Sequence, residues 1–335
     1  MDCKILLRVE DISLEKWSYL VYNSKLVSFF QTRECFDFYE SISFLQPFCV
    51  AIEVDNDLKG VVVGYVIKER GGVKQFFSRR AIIIGGPLLA DDISAEELEL
   101  LLCTVKNILR NKVIYVESRN FNDYSKYKET FDRCGFVYNE HLNFHVDTSS
   151  MEVFQANMGK SRKRDVKTSL RDGAEVIYSP TLEQVKEYYL ILDDLYKTKV
   201  KTPLFGFEFF EKLYACKSAK FILIKLNDEI IGGTVCVCLD GIGVYEWFAC
   251  GKDGKYKNIY PSTLATYSGI EYAVQHSYPL FDMMGAGKPM EDYGVRDFKS
   301  KFGGILVEYG RFINILNPFL YWIGKKGVQF LKSRK

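Results

Sequence analysis

Residues 48–67 read FCVAIEVDNDLKGVVVGYVI, and residues 219–239 read AKFILIKLNDEIIGGTVCVCL. Each is a pair of runs rich in β-branched residues around a short polar turn, DNDLK in the first and NDE in the second, which is the pattern of a β-hairpin. The stretches downstream of the two hairpins are also alike. After the first come SAEELELLLCTVKNILRN (94–111), the strand-like IYVESR (114–119), a short helical stretch YSKYKETFDRCG (124–135) and a strand pair FVYNEHLNFHVD (136–147). After the second come the strand VYEWFACG (244–251), the helix TLATYSGIEYAVQHS (263–277), the strand LFDMMG (280–285), the segment DFKSKFGG (297–304) and a last strand ILVEYGRFI (305–313). Ser94 followed three residues later by Glu97 marks a capped helix start. Three landmarks match between the halves, Gly60 with Gly232, Glu117 with Asp282 and Gly135 with Gly303, at offsets of 172, 165 and 168 residues. A shift that steady points to two copies of one α/β unit, each a mixed sheet with flanking helices.

At 335 residues the chain is too long for one ordinary core and suits two domains. The expected division is a first unit over 1–150, a basic linker helix over 151–175, a second unit over 176–315 and a basic amphipathic C-terminal helix over 316–335. A further helix is expected over 13–30. The net charge of +2 gives no global attraction to nucleic acid or membrane, so any such affinity has to be local. The start, MDCKILLRVED, has too short an apolar run for a signal peptide, and no stretch approaches the ~20 apolar residues that span a bilayer. The expectation is a cytoplasmic protein.

The nine cysteines agree with that compartment, since none stands in a C-x-x-C pair and the number is odd. Cys236 and Cys238 alternate in GTVCVCL as small hydrophobes. His141 and His145 lie four apart on a strand-like run and read as structural, and with only His276 besides, neither a histidine dyad nor a metal site is expected.

The most charged segment is MGKSRKRDVKTSLRDG, residues 158–173. Lys160, Arg164, Lys167 and Arg171 share one helical face, Val166 and Leu170 another, and Gly173 is placed to stop the helix. That face is either solvated or a phosphate-binding surface for a diphosphate or RNA backbone, with Arg162 and Arg164 the arginines most concerned.

The basic helix ending in glycine, Pro261 before TLATYSGIEYAV, the strand LFDMMG and the closing DFKSKFGG resemble the FemABX-type acyltransferases, best over residues 155–312. These are tandem GNAT-like proteins that include the peptidoglycan interpeptide-bridge aminoacyltransferases. The resemblance implies an α/β (α+β) fold of two GNAT-like units with mixed sheets facing a cleft. It implies transfer of an acyl group, from acetyl-CoA, another acyl-CoA or aminoacyl-tRNA, to an amine. The acceptor it implies is a small-molecule or lipid-linked cell-envelope precursor, such as a nucleotide- or lipid-linked amino sugar or peptide. The lysine of the family's F-K-x-x-F-G segment falls on Lys299, whose cation would stabilise the tetrahedral intermediate while Phe298 and Phe302 anchor the turn. The shift of 168 carries Lys299 onto Phe131, so the first copy lacks the cation and a single active site in the second is expected. Arg162, Arg164, Tyr245, Trp247, Asp282, Gly285, Arg296 and Phe298 are the expected substrate-binding residues, with Tyr245 and Trp247 lining an acyl channel or filling core.

Two departures from the resemblance bear on the donor. The stretch GKDGKYKNIYPSTL has the glycines and lysines of a GNAT pyrophosphate loop without its R/Q-x-x-G-x-G/A pattern, and the long helical hairpin of some bridge-forming enzymes has no counterpart. The alternative to an enzyme is an RNA-binding or scaffolding protein on a catalytically degenerate GNAT-like fold. The tail NPFLYWIGKKGVQFLKSRK is expected to form an amphipathic helix that docks on the body or lies at the inner face of a membrane.

Overall fold

The computed structural model describes residues 2–67 and 79–333, with side chains as far as residue 326. The chain divides into two compact units, residues 1–141 with 309–335 and residues 142–308. Unit 1 begins with β1 (Cys3–Leu6), α1 (Leu14–Asn23) and α2 (Arg33–Glu40), then the hairpin β2 (Leu45–Val54) and β3 (Asp57–Ile67). It continues through β4 (Arg80–Gly85), β5 (Leu88–Leu89), α3 (Ala95–Leu109), β6 (Tyr115–Asn120), α4 (Lys128–Arg133) and β7 (Val137–Asn139). Unit 2 holds β8 (Leu142–Asp147), α5 (Met151–Asn157), α6 (Lys160–Arg171), β9 (Glu175–Ile177), α7 (Leu182–Leu195) and α8 (Phe207–Tyr214). It then runs through the hairpin β10 (Ala219–Leu226) and β11 (Glu229–Leu239), β12 (Gly243–Gly251), α9 (Pro261–Gln275), β13 (Leu280–Gly285), α10 (Gly294–Ser300) and β14 (Ile305–Glu308). The chain returns to unit 1 with β15 (Arg311–Ile315) and α11 (Pro318–Ser333).

The local chemistry that the sequence announces is in place. Both hairpin turns put two consecutive residues in the left-handed region, Asp55 and Asn56 at φ of 47° and 71°, Asn227 and Asp228 at 47° and 65°. Asn and Asp tolerate that region best among side-chain-bearing residues, and the resulting turn matches the twist of the strands. Ser94 and Glu97 close a reciprocal cap, with Glu97 N donating to Ser94 Oγ at 3.2 Å and Ser94 N to Glu97 Oε2 at 2.8 Å. The helix expected over 13–30 stops at Asn23, because Ser24 leaves it to donate its hydroxyl to Leu89 O at 2.6 Å.

Sheet 1 is ordered β1-β2-β3-β4-β6-β15-β7, with β5 also on β3, and sheet 2, taken in the same sense, β9-β10-β11-β12-β13-β8-β14. The orders correspond strand for strand. The directions do too, with β4–β6 and β12–β13 the parallel pair of each sheet and every other pairing antiparallel. The duplication is therefore structural as well as sequential.

One expectation differs. FVYNEHLNFHVD reads as a strand pair, yet β7 stays in sheet 1 while β8 enters sheet 2, between β13 and β14. Likewise ILVEYGRFI reads as one strand, yet it is β14 in sheet 2 and β15 in sheet 1, between β6 and β7. Each copy thus gives its last strand to the other copy's sheet. Only Glu140–His141 and Tyr309–Gly310 separate the partners, and two-residue links look alike in sequence whether they turn a hairpin or carry the chain onward. The unit boundaries consequently fall at 141/142 and 308/309 rather than near 150 and 315, and the basic helix α6 lies inside unit 2 instead of linking two domains.

Both faces of each sheet are buried, as Val61 to Val63 and Val235 to Val237 show, and one cluster in each unit packs against its long helix. Val50, Ile52, Val62 and Val116 pack with Leu98, Leu101 and Val105 of α3 and with Phe131 and Phe312 in unit 1. Cys236, Cys238, Val244, Phe281 and Met283 pack with Leu264 and Ile270 of α9 and with Phe302 in unit 2.

Candidate active site

The parallel pair of unit 2 opens like a fork. β12 and β13 pair only at Val244–Phe281 and Tyr245–Asp282, whereas β4 and β6 pair at each position from Arg80–Tyr115 to Gly85–Asn120. The cause lies in both arms. β12 shifts register against β11 between Val235 and Cys236, and β13 is irregular between Asp282 and Gly285. Met284 has φ of 56° there, a conformation that costs a residue with a side chain of order 1 kcal/mol. Asp282 Oδ1 holds it by accepting from Met284 N at 2.6 Å. Beyond the fork, the carbonyls of Met283 and Gly285 accept from Nζ of Lys299, the second at 2.9 Å.

Lys299 reaches that position because α10 is gripped on either side of it. Phe302 is fully buried, and its ring lies 5.2 Å from that of Phe298. The Arg162 guanidinium from α6 lies 4.6 Å from the Phe298 ring centre and 5.7 Å from that of Phe302. Arg162 Nη1 also donates to Thr263 Oγ1 of α9 at 3.1 Å and to Asp165 Oδ2 at 3.4 Å. Gly159 N donates to Lys301 O at 2.9 Å. Just past α10, Gly303 turns at φ of 82°, where a Cβ would come within 2.4 Å of the Asn157 backbone. Only glycine suits that turn.

The surroundings of the ammonium are acidic. Glu246 of β12 is buried and accepts at Oε1 from Thr266 Oγ1 at 2.8 Å and Thr234 Oγ1 at 3.1 Å. Asp282 is completely buried, with Oδ2 3.3 Å from His145 Nε2. Burial lowers the Lys299 pKa below that of an ordinary lysine, and Glu246 and Asp282 act against the fall. Burial raises the pKa of Glu246, against the pull of Lys299 and the two threonine hydroxyls. Burial, then Asp282, raises that of Tyr245. Lys299 uses two of its three N–H donors on the strand carbonyls, which leaves the third for an oxygen brought into the fork.

Lys299, Asp282, Gly285, Phe298 and Arg162 are thus brought together, and Tyr245 stands beside Asp282 in the register. The others lie elsewhere. Arg296 donates to the carbonyls of Ala286, Lys288 and Pro289, tying down the loop after β13. Trp247 packs edge-on against Phe209 at 5.2 Å and stacks on Phe248. Arg164 is largely exposed and pairs with Asp165 at 3.1 Å. Lys160, Lys167 and Arg171 share its exposure, and Leu170, read on the apolar face, is exposed as well. Glu246 and His145 are the members that the sequence reading passed over. A lone glutamate inside the apolar strand VYEWFACG was the available signal, while His145 acquires its partner only through the strand exchange. Among the described residues no group of His, Cys, Asp and Glu side chains is arranged to hold a metal ion.

Two sheets of matched order, one with its parallel pair forked and one closed, define a tandem GNAT-like protein. Residues 217–326 match the model of the FemAB family. Among solved structures, FemX is similar over 96% of this chain and 99% of its own, at 15% identity and a TM-score of 0.72. A tandem GNAT protein from the clavulanic acid biosynthesis pathway is similar over 95% and 99%, at 8% identity and a TM-score of 0.61. L-PGS from Bacillus licheniformis is similar over 96% and 97%, at 13% identity and a TM-score of 0.55. No curated protein matches the chain. The family match lies in the second half of the chain, and the likeness to FemX is one of fold.

Proposed function

We propose that this protein is an acyl or aminoacyl transferase that N-acylates an amine of a cell-envelope precursor, with Lys299 as its catalytic cation. The observation that carries the reading is the fork: a lysine ammonium held on the carbonyls of Met283 and Gly285, with buried Glu246 and Asp282 nearby. In acyl transfer to an amine, the carbonyl oxygen gains negative charge as the tetrahedral intermediate forms and the amine sheds a proton. A positioned N–H donor stabilises that oxygen without having to reorganise. Glu246 and Asp282 favour the charged form of Lys299 and so oppose the effect of burial. Among its described residues unit 1 offers no equivalent. Phe131, four residues before Gly135 as Lys299 is four before Gly303, is fully buried and stacks on Phe312 at 3.9 Å.

The segment before α9 supports aminoacyl-tRNA over acyl-CoA as the donor. A CoA pyrophosphate would need open N–H groups and free cations at that helix start. Here Asp253 Oδ1 accepts from Ser262 N at 3.2 Å, putting a carboxylate on the first turn. Lys252 and Lys255 are bound to Glu229 at 2.6 and 3.2 Å. The residues therefore do not fit a pyrophosphate in that place.

The deciding experiment is a transfer assay with radiolabelled aminoacyl-tRNA or acyl-CoA as donor and UDP-linked envelope precursors as acceptor, wild type beside Lys299→Met. Label moving to an acceptor amine with the wild type alone supports the reading. Absence of transfer with every donor, together with no thermal shift from any of them, returns the chain to a scaffolding role.

A further inference from the structure

The place in unit 1 that corresponds to the Asp282–His145–Asn143 corner of unit 2 is built from different chemistry. In sheet 2, β13 faces β8 through Asp282–His145 and Gly285–Asn143. In sheet 1, β6 faces β15 through Glu117–Ile313 and Arg119–Arg311. Two arginines therefore stand directly across from each other on neighbouring strands, an arrangement that repels unless an anion lies between them.

Glu117 answers part of that need. Its Oε1 accepts from Arg311 Nη1 at 2.6 Å and its Oε2 from Arg119 Nη2 at 3.2 Å. Burial works against the Glu117 charge, but the two guanidiniums outweigh it and hold the pKa at about 2, so the carboxylate is ionised and fully engaged. The other contact of Arg311 adds no negative charge. Its Nη2 donates to His141 Nε2 at 2.6 Å, which makes that nitrogen an acceptor and the ring neutral. Among the described residues both arginines thus have the same carboxylate as their salt-bridge partner, and one positive charge of the three groups is left over.

The surplus is visible in the hydrogen bonds. Among the described residues, Nε of Arg119 and Nε of Arg311 are buried without a hydrogen-bond partner. Buried donors of that kind are few in stable proteins and call for an explanation. The side chains are nonetheless 32% and 28% exposed. A pair of guanidinium forks with one unbalanced charge matches an oxyanion in shape and in sign.

We propose that Arg119 and Arg311 form an anion-binding site in unit 1 that takes a phosphate or carboxylate group. The strand pair that carries Asp282 and His145 in unit 2 carries the two arginines in unit 1. The anion site does not rest on the transferase reading.

The test is calorimetric titration of the full chain with inorganic phosphate, pyrophosphate and succinate, at fixed ionic strength balanced with sodium chloride. One-to-one binding of at least one anion is expected. Stronger binding of pyrophosphate assigns the site to phosphate, and stronger binding of succinate assigns it to carboxylate. Arg119→Gln should raise Kd at least tenfold, because Arg119 carries the unbalanced charge while Arg311 and Glu117 still join β15 to β6. Arg119→Lys should fall between the two, and Arg164→Gln, far out on the surface of α6, should change nothing. Binding unaltered in Arg119→Gln would overturn the site. So would no heat with any anion, accompanied by a lower melting temperature in Arg119→Gln, which would make that guanidinium a purely structural staple. Turnover enters none of these readouts, so the site and the transferase reading fail separately.

Discussion

Lys299 touches backbone on one side and faces acid on the other, and both contacts bear on what its replacement does. Lys299→Met keeps the stem but withdraws the donor from two carbonyls. The expected loss in turnover is ~10²–10³, as for removal of one oxyanion donor. A stability loss of about 1–3 kcal/mol should accompany it, because the Met283 and Gly285 carbonyls lose a buried partner. Lys299→Arg should rescue poorly, since a planar fork does not put its charge where an ammonium does. Turnover close to wild type in Lys299→Met would leave the lysine as a cap on the forked strand and nothing more. The pH dependence has a definite sign. Burial lowers the Lys299 pKa, so the unfolded chain binds more protons between the folded value and the ordinary lysine value of 10.5, and stability rises with pH across that window. Lys299→Met should flatten this rise in urea titrations over the alkaline range. Glu246 acts on the same proton. Glu246→Gln removes a charge that favours the ammonium, so the alkaline limb of the rate profile should move to lower pH, and a limb that stays put would free Glu246 of that role.

At the scale of elements, α6 bears out the reading of a helix stopped by Gly173, which has φ of 98°, but its arginines part company. Arg162 turns inward to the Phe298–Phe302 pair, and Arg164 turns to solvent. The two arginines that the sequence assigns to one phosphate-binding surface therefore call for separate experiments. Arg164→Ala should alter stability by no more than about 0.5 kcal/mol. Arg162→Met should lower kcat several-fold with little change in KM, since it loosens the helix that presents Lys299. A change confined to KM, growing weaker with salt, would instead make Arg162 a direct anion contact. The C-terminal segment is helical from Pro318 as expected, and its described side chains, up to residue 326, are docked in part. Tyr321 packs edge-on against Tyr115 at 5.5 Å, whereas Phe319 and Trp322 are 68% and 54% exposed and Lys326 lies over the Trp322 ring at 4.1 Å. Exposed aromatics beside lysines suit an anionic membrane surface. Among the described residues no helix is long and apolar enough to cross one. Liposome co-sedimentation with anionic vesicles should fall on deletion of 317–335, and equal binding with and without the segment would end the idea.

For the whole molecule, the hairpins, the capped helix, the repeat and the Phe–Lys–Phe segment were legible in the sequence because each is set by neighbours within a few residues. The strand exchange was not, because nothing local to Glu140–His141 or Tyr309–Gly310 says to which sheet the next strand goes. Glu246 escaped for a related reason. Its hydroxyl partners Thr234 and Thr266 lie on other elements, and its meaning depends on a fork that pairing registers reveal and propensities do not. The exchange makes each unit depend on the far end of the other's sequence, and that dependence can be tested by shortening the chain. A chain ending at residue 308 keeps every strand of sheet 2 but lacks β15, so β6 and β7 lose the strand between them. It also loses Phe312, which is 1% exposed and stacked on Phe131, and losing one such buried ring typically costs about 3–5 kcal/mol. Together with the orphaned ladder groups of β6 and β7, that is a large part of what a domain has in reserve. A chain ending at 316 retains β15 and lacks only the C-terminal helix. Hydrogen exchange on the two truncations should therefore differ in one half alone. In the 316-residue chain the amides of β2, β3 and β6 remain protected, and in the 308-residue chain they exchange rapidly while those of β11 and β12 stay slow. Protection of β6 in the 308-residue chain would mean that sheet 1 closes without its borrowed strand, and the exchange would then be a matter of topology rather than of stability.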